Sequence, residues 1–178
     1  RFDMDWQEWL SRYFKVSFAA PGCISRLHKE NGGAHLWLSQ TEGQQLFILF
    51  APQEAENLYE TSGVRVEGVE GFAAAISPVD ILFPSTRRHS HFSDARALAT
   101  ILKAGETLIV PSGWWWYSAA LEPSATVQQW FFNWSNVQCL VAHFADLLEV
   151  DRMPPDMASH FTQLLEEGVA LLVEDAEE

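Results

Sequence analysis

Cationic side chains are scarce in this chain. Eleven lysines and arginines stand against 24 aspartates and glutamates, a formal net charge of −13 over 178 residues. Binding nucleic acid through its phosphates takes clustered Lys and Arg, so that function class is set aside. The local basic cluster Arg87-Arg88-His89-Ser90-His91 reads as a solvated loop. Cysteine is scarcer still. Cys23 and Cys139 form neither a metal-binding nor a redox spacing and read as buried free thiols in a reducing compartment. No apolar run approaches the roughly 18–20 residues of a membrane span, and the N-terminus lacks a signal-peptide pattern. No Gly-rich loop opens a helix to cradle phosphate, and no Ser or Cys nucleophile stands beside a base. A chain that opens on Arg1 reads as a piece cut from a longer protein.

What is present fits one globular domain over residues 1–178. The chain is 48% hydrophobic and 20% charged, and it is long enough to bury a sizeable core. Residues 3–14 place Trp6, Trp9, Leu10, Tyr13 and Phe14 on one helical face, which predicts an N-terminal helix within 1–15. From 16 to 134 short β-rich runs alternate with Gly, Pro, Asn and Ser, among them "KVSFAA", "QLFILFA", "VRVEGV", "TLIVP" and "ATVQQWFF". That texture predicts a sandwich, jelly roll or barrel. A short helix is expected at Ser93–Leu98. Beyond Trp134 the apolar period turns helical again, and Pro154-Pro155 divide two amphipathic helices within 135–178.

The chemistry-bearing segment is "GCISRLHKENGG", residues 22–33. In an extended strand His28 and Glu30 point to the same face. An imidazole beside a carboxylate supplies two of the three ligands in a non-haem iron facial triad. Read with "EGQQLFILFAP", "ISPVDILFP", "FSDARALATILKAGETLIVPSGWWWYSAAL" and "ATVQQWFFN", in that order, the chain resembles the JmjC/cupin-like family of Fe(II)- and 2-oxoglutarate-dependent oxygenases.

The resemblance implies a mainly β fold with flanking helices: a double-stranded β-helix (jelly roll) between the N-terminal helix and the two C-terminal helices. It also implies site positions. The first two metal ligands fall on His28 and Glu30. The third, a His closing the segment after Pro111, falls on Trp116, whose indole N–H offers no lone pair to a metal. The basic residue that anchors 2-oxoglutarate is replaced by Gln45, a weaker partner for a carboxylate. Ser25 keeps a pocket hydroxyl, and Gln129 takes the place of a pocket Asn, facing inward with Phe131 by strand alternation. Tyr117, His35, His89 and His91 are the substitute ligands to weigh. Trp114 and Trp115 read as core, and Phe131, Phe132 and Trp134 as core and helix-packing contacts.

These departures imply a degenerate domain, a pseudoenzyme needing neither Fe(II) nor 2-oxoglutarate, that serves as a protein-interaction or scaffolding module. A homodimer through the C-terminal helices is a further expectation, and direct nucleic-acid or membrane binding is not expected. The alternative is a protein hydroxylase or lysine demethylase with an altered metal site, using both Fe(II) and 2-oxoglutarate. Either reading places the protein in nucleus or cytoplasm.

Overall fold

The computed structural model describes residues 14–65 and 73–136, with scattered residues between 138 and 168. Among the described residues ten strands are formed: β1 (Lys15–Ala19), β2 (Ile24–Lys29), β3 (His35–Glu42), β4 (Gln44–Phe50), β5 (Thr61–Arg65), β6 (Ala73–Ile76), β7 (Ala97–Lys103), β8 (Thr107–Val110), β9 (Trp115–Ala120) and β10 (Ser124–Phe131). They make two antiparallel sheets, a smaller one in the order β1-β10-β3-β8 and a larger one in the order β5-β6-β2-β9-β4-β7. From β3 to β4, and again from β7 through β10, the chain passes from one sheet to the other at each turn. That winding is a jelly roll, and it leaves a space between the sheets.

Two apolar layers follow from this arrangement. Between the sheets lie Leu36, Leu38, Phe47, Leu49, Leu102, Val110 and Trp116. On the outer face of the larger sheet lie Leu27, Phe50, Leu58, Trp115 and Tyr117, covered by Ile81, Phe92 and Ala95. β9 is therefore buried on both faces, which explains why its sequence shows no polar alternation. Trp116 faces inward while Trp115 and Tyr117 face the outer layer.

Several expectations are corrected. Lys15 belongs to a strand and Phe14 before it is not helical, while residues 1–13 of the expected N-terminal helix lie outside the described residues, as do residues 66–69 of "VRVEGV". Residues 138–139, 141–142, 155–156, 158–160, 163, 165 and 167–168 are helical, but the described residues do not delineate two complete C-terminal helices. The helix expected at Ser93–Leu98 is a 3-10 turn at Ser90–Asp94, with β7 starting at Ala97. β7 lies at a sheet edge with most side chains exposed, so its apolar pattern carried little strand signal. Cys23 and Cys139 are free but exposed, not buried. Trp134 is 55% exposed, so it is no core residue. No described helix is long and apolar enough to cross a membrane.

The crossing between β3 and β4 is a single residue, Gly43, at φ 71°. A Cβ there would lie 2.1 Å from the carbonyl oxygen of Pro123, on the neighbouring crossing between β9 and β10. Gly43→Ala combines left-handed strain with a backbone clash that no rotamer relieves. We expect it to cost about 2–3 kcal/mol, read as a lowered urea midpoint at unchanged m-value. An unaltered midpoint would show that the two crossings can separate freely.

Candidate functional site

The site begins with an irregularity in β2. Ser25 pairs with Ser118 and His28 with Trp116, so β2 carries one residue more than β9 between these points. The bulge sets His28 directly across from Trp116, their ring centroids 4.4 Å apart. Nδ1 of His28 donates to the carbonyl of Arg26 at 2.6 Å, which turns Nε2 toward Glu30 Oε1, 3.6 Å away. At that distance the pair interacts by charge and dipole rather than by a hydrogen bond. His28 and Glu30 do share one face.

Glu30 sits past the end of β2 with its side chain 11% exposed. Its Oε1 accepts the indole N–H of Trp116 at 3.0 Å, and its Oε2 accepts the indole N–H of Trp130 at 2.5 Å. A carboxylate from the larger sheet thus joins an indole on each sheet. Burial works to raise the Glu30 carboxyl, but His28 and the two indole donors outweigh it and hold the group below its ordinary value. Trp130 was missed as a site residue by the sequence reading. The signal for it is β10 alternation: Thr126, Gln128 and Trp130 share the inward side.

The residues weighed as substitute ligands are placed elsewhere. Tyr117 lies in the outer layer, where burial and the charge of Asp80 raise its hydroxyl. His35 accepts the backbone N–H of Ser112 at Nδ1 (2.8 Å), which leaves Nε2–H to donate to the Ser135 hydroxyl (3.1 Å). That ring also stacks on Phe131 at 4.9 Å. It joins β3 to the segments after β8 and β10. His89 and His91 flank Tyr59 on the turn preceding β7. Among the described residues no three His, Cys, Asp or Glu side chains cluster as a metal site.

On the other side of Trp116 a cavity of about 260 Å³ opens, and both Ser25 and Gln45 line it. Gln128 lines it where the sequence reading put Gln129, because the inward side of β10 has the opposite parity. Gln45 donates to the Thr126 hydroxyl at 2.7 Å, Thr126 donates to Gln40 Oε1 at 2.9 Å, and Gln40 donates to the Glu42 carbonyl at 2.6 Å. This buried relay crosses between the sheets and satisfies polar groups that would otherwise be costly inside. Trp116 forms the wall between this cavity and the His28–Glu30 pair.

A family model described as a cupin-like domain matches residues 15–136. HSPB1-associated protein 1 of Rattus norvegicus is 28% identical over 110 residues, 61% of this chain and 22% of that protein. Lysine-specific demethylase 8 of Xenopus tropicalis is 28% identical over 114 residues, 64% of this chain and 24% of that protein. JmjC domain-containing protein D of Dictyostelium discoideum is 27% identical over 106 residues, 60% of this chain and 22% of that protein. The chain thus spans about a quarter of the length of these curated relatives. With the match covering the whole two-sheet body, the chain belongs to the JmjC/cupin-like domain family.

Proposed function

We propose that this domain no longer supports iron-dependent oxidation and works as a protein-interaction or scaffolding module. The observation that carries this reading is that both oxygens of Glu30 are bound by indole N–H groups. JmjC-type domains generally depend on Fe(II) and 2-oxoglutarate. The residues present do not fit that metal. A facial triad needs three lone-pair donors, and beside His28 and Glu30 the third place holds an N–H donor on a bulky ring. Metal at Glu30 Oε1, the oxygen facing His28, would displace the hydrogen bond from Trp116, a bond to a charged group contributing about 1.5–3 kcal/mol. The co-substrate side agrees, since Gln45 brings no positive charge and is tied to Thr126.

The association role draws on the name of HSPB1-associated protein 1 and on exposed apolar side chains. Leu82 and Phe83, 52% and 82% exposed, stand on a turn whose backbone N–H groups donate to Asp80 Oδ1. The partner is a protein, in nucleus or cytoplasm, with a second copy of this chain docking through its C-terminal segment as one form of it. The competing reading, an Fe(II)/2-oxoglutarate-dependent hydroxylase or demethylase, draws on relatives such as lysine-specific demethylase 8. Calorimetry of the anaerobic protein with Fe(II), Mn(II) and Ni(II), followed by 2-oxoglutarate, decides between them. We expect no saturable uptake at micromolar metal. Micromolar binding that His28→Ala abolishes would establish the oxygenase reading instead.

A further inference from the structure

We infer that the cavity beside Trp116 is a binding site for a small uncharged molecule carrying both hydrogen-bond donors and acceptors, and that it rejects dicarboxylates. The wall chemistry carries this. Its polar groups are the hydroxyls of Ser17, Ser25, Ser118 and Thr126 and the amides of Gln45 and Gln128. None of the described residues lining it is Lys, Arg, His, Asp or Glu. Leu38, Phe47 and Trp116 supply apolar surface. The arrangement is that of small-molecule sites in general, concave and part apolar with a few converging polar groups. At about 260 Å³ the space lies just under the roughly 300–1,000 Å³ of drug-sized pockets, so the ligand is small.

The absence of charge sets the ligand class. The cavity is open on the side of Ser17, Phe18, Cys23 and Ile24, so a carboxylate entering it would lose part of its water and meet no cation among the described lining residues, which disfavours it. Lys15, on neighbouring β1, holds its ammonium 5.3 Å over the Trp130 ring and is not among the lining residues. The formal charge of −13 adds a repulsive field for anions over the whole molecule. A neutral amide or polyol faces neither penalty. Its polar groups can exchange water for serine hydroxyls, which turn to donate or accept as the ligand requires. The cross-strand pair Ser25 and Ser118 presents two such hydroxyls from the larger sheet, and Ser17 faces them from β1 of the smaller one.

The cavity wall contains its own reporter. Cys23 lines the cavity, while Cys139, also free and exposed, does not, so one molecule carries a probe and a control. The experiment follows alkylation of both thiols by peptide mapping in metal-free protein, with glutaramide or glutarate added. These probes share a carbon skeleton and differ in charge. Glutaramide is expected to slow alkylation of Cys23 and leave Cys139 unchanged, reaching about tenfold protection at ten times its dissociation constant. Glutarate is expected to bind at least about tenfold more weakly. In Gln45→Lys, folded by circular dichroism, an ammonium enters the cavity and glutarate should become the better protector. Equal or stronger protection by glutarate in the unaltered protein, protection by neither probe, or a folded Gln45→Lys without the reversal each overturns the assignment. Because no metal is present, these outcomes are independent of the titration that tests loss of oxygenase chemistry.

Discussion

Glu30→Ala is expected to destabilise the domain by about 3–5 kcal/mol, the range for breaking one side of a buried charged arrangement. The change removes the carboxylate acceptor of the Trp116 and Trp130 indole N–H groups, one on each sheet, and the charge facing His28. Each buried donor left without a partner costs about 1–3 kcal/mol. Glu30→Gln keeps the shape but offers one carbonyl where two acceptors are needed, and turns an NH₂ toward the other indole. It should cost about 2 kcal/mol. Urea unfolding measures both, with a fall in midpoint at constant m-value. Glu30 also gives the fold an acid dependence of known sign. Its carboxyl is held below the reference value of 4.5 in the folded state. Its contribution is therefore complete above the unfolded-state pKa and is lost as pH falls through the depressed folded one. Glu30→Gln should be less stable at neutral pH and should lose less stability than the unaltered protein on acidification below that range. Parallel stability profiles for the two proteins would mean that the carboxylate does not hold the indoles.

Trp116→His is expected to bring about metal binding where the unaltered protein is expected to have none. The new imidazole would sit opposite His28 in the β2–β9 register, and the substitution frees Glu30 Oε1 from its indole partner. Three lone-pair donors from two neighbouring strands then face one space, the donor set of a facial triad. We expect affinity for Mn(II) or Ni(II) to rise by at least about a hundredfold, or about 2.7 kcal/mol, measured by anaerobic calorimetry. Loss of a buried tryptophan lowers stability at the same time, by an amount below the about 3–5 kcal/mol of a full truncation to alanine. Trp116→Ala is the control. It opens the same space and frees the same carboxylate oxygen, yet adds no donor, so metal affinity should stay low. Equal metal binding by the two variants would show that volume, not the missing ligand, keeps the cation out. No binding by Trp116→His would show that position 116 does not face the metal space.

Much of this was legible in the residues. Short apolar runs with turn signals between them specify a β body, because a strand needs only local alternation to be recognised. The two-residue spacing of His28 and Glu30 specifies a shared face for the same reason, since side chains alternate along an extended chain. The inward turn of Trp116 and the outward turn of Tyr117 follow from that alternation too. What an indole lacks as a metal ligand is a property of the residue itself, readable without coordinates.

The rest depended on contacts between residues far apart in the chain. Trp130 meets Glu30 across 100 positions, and only the stacking of two sheets brings them together. Alternation alone left two choices of inward face in β10, and only the packing of the sheets put Gln128 rather than Gln129 at the cavity wall. A one-residue slip reverses every side chain beyond it, so no local pattern reveals which face is buried. His35 could be read as a spare ligand until the Ser112 N–H and the Ser135 hydroxyl were found at its two nitrogens. The sequence alone settled which chemical groups this protein possesses and put His28, Gln45 and Trp116 on strands. Which of those groups spend their hydrogen bonds on one another was decided by tertiary structure, because directional bonds depend on distances and angles that chain spacing does not contain.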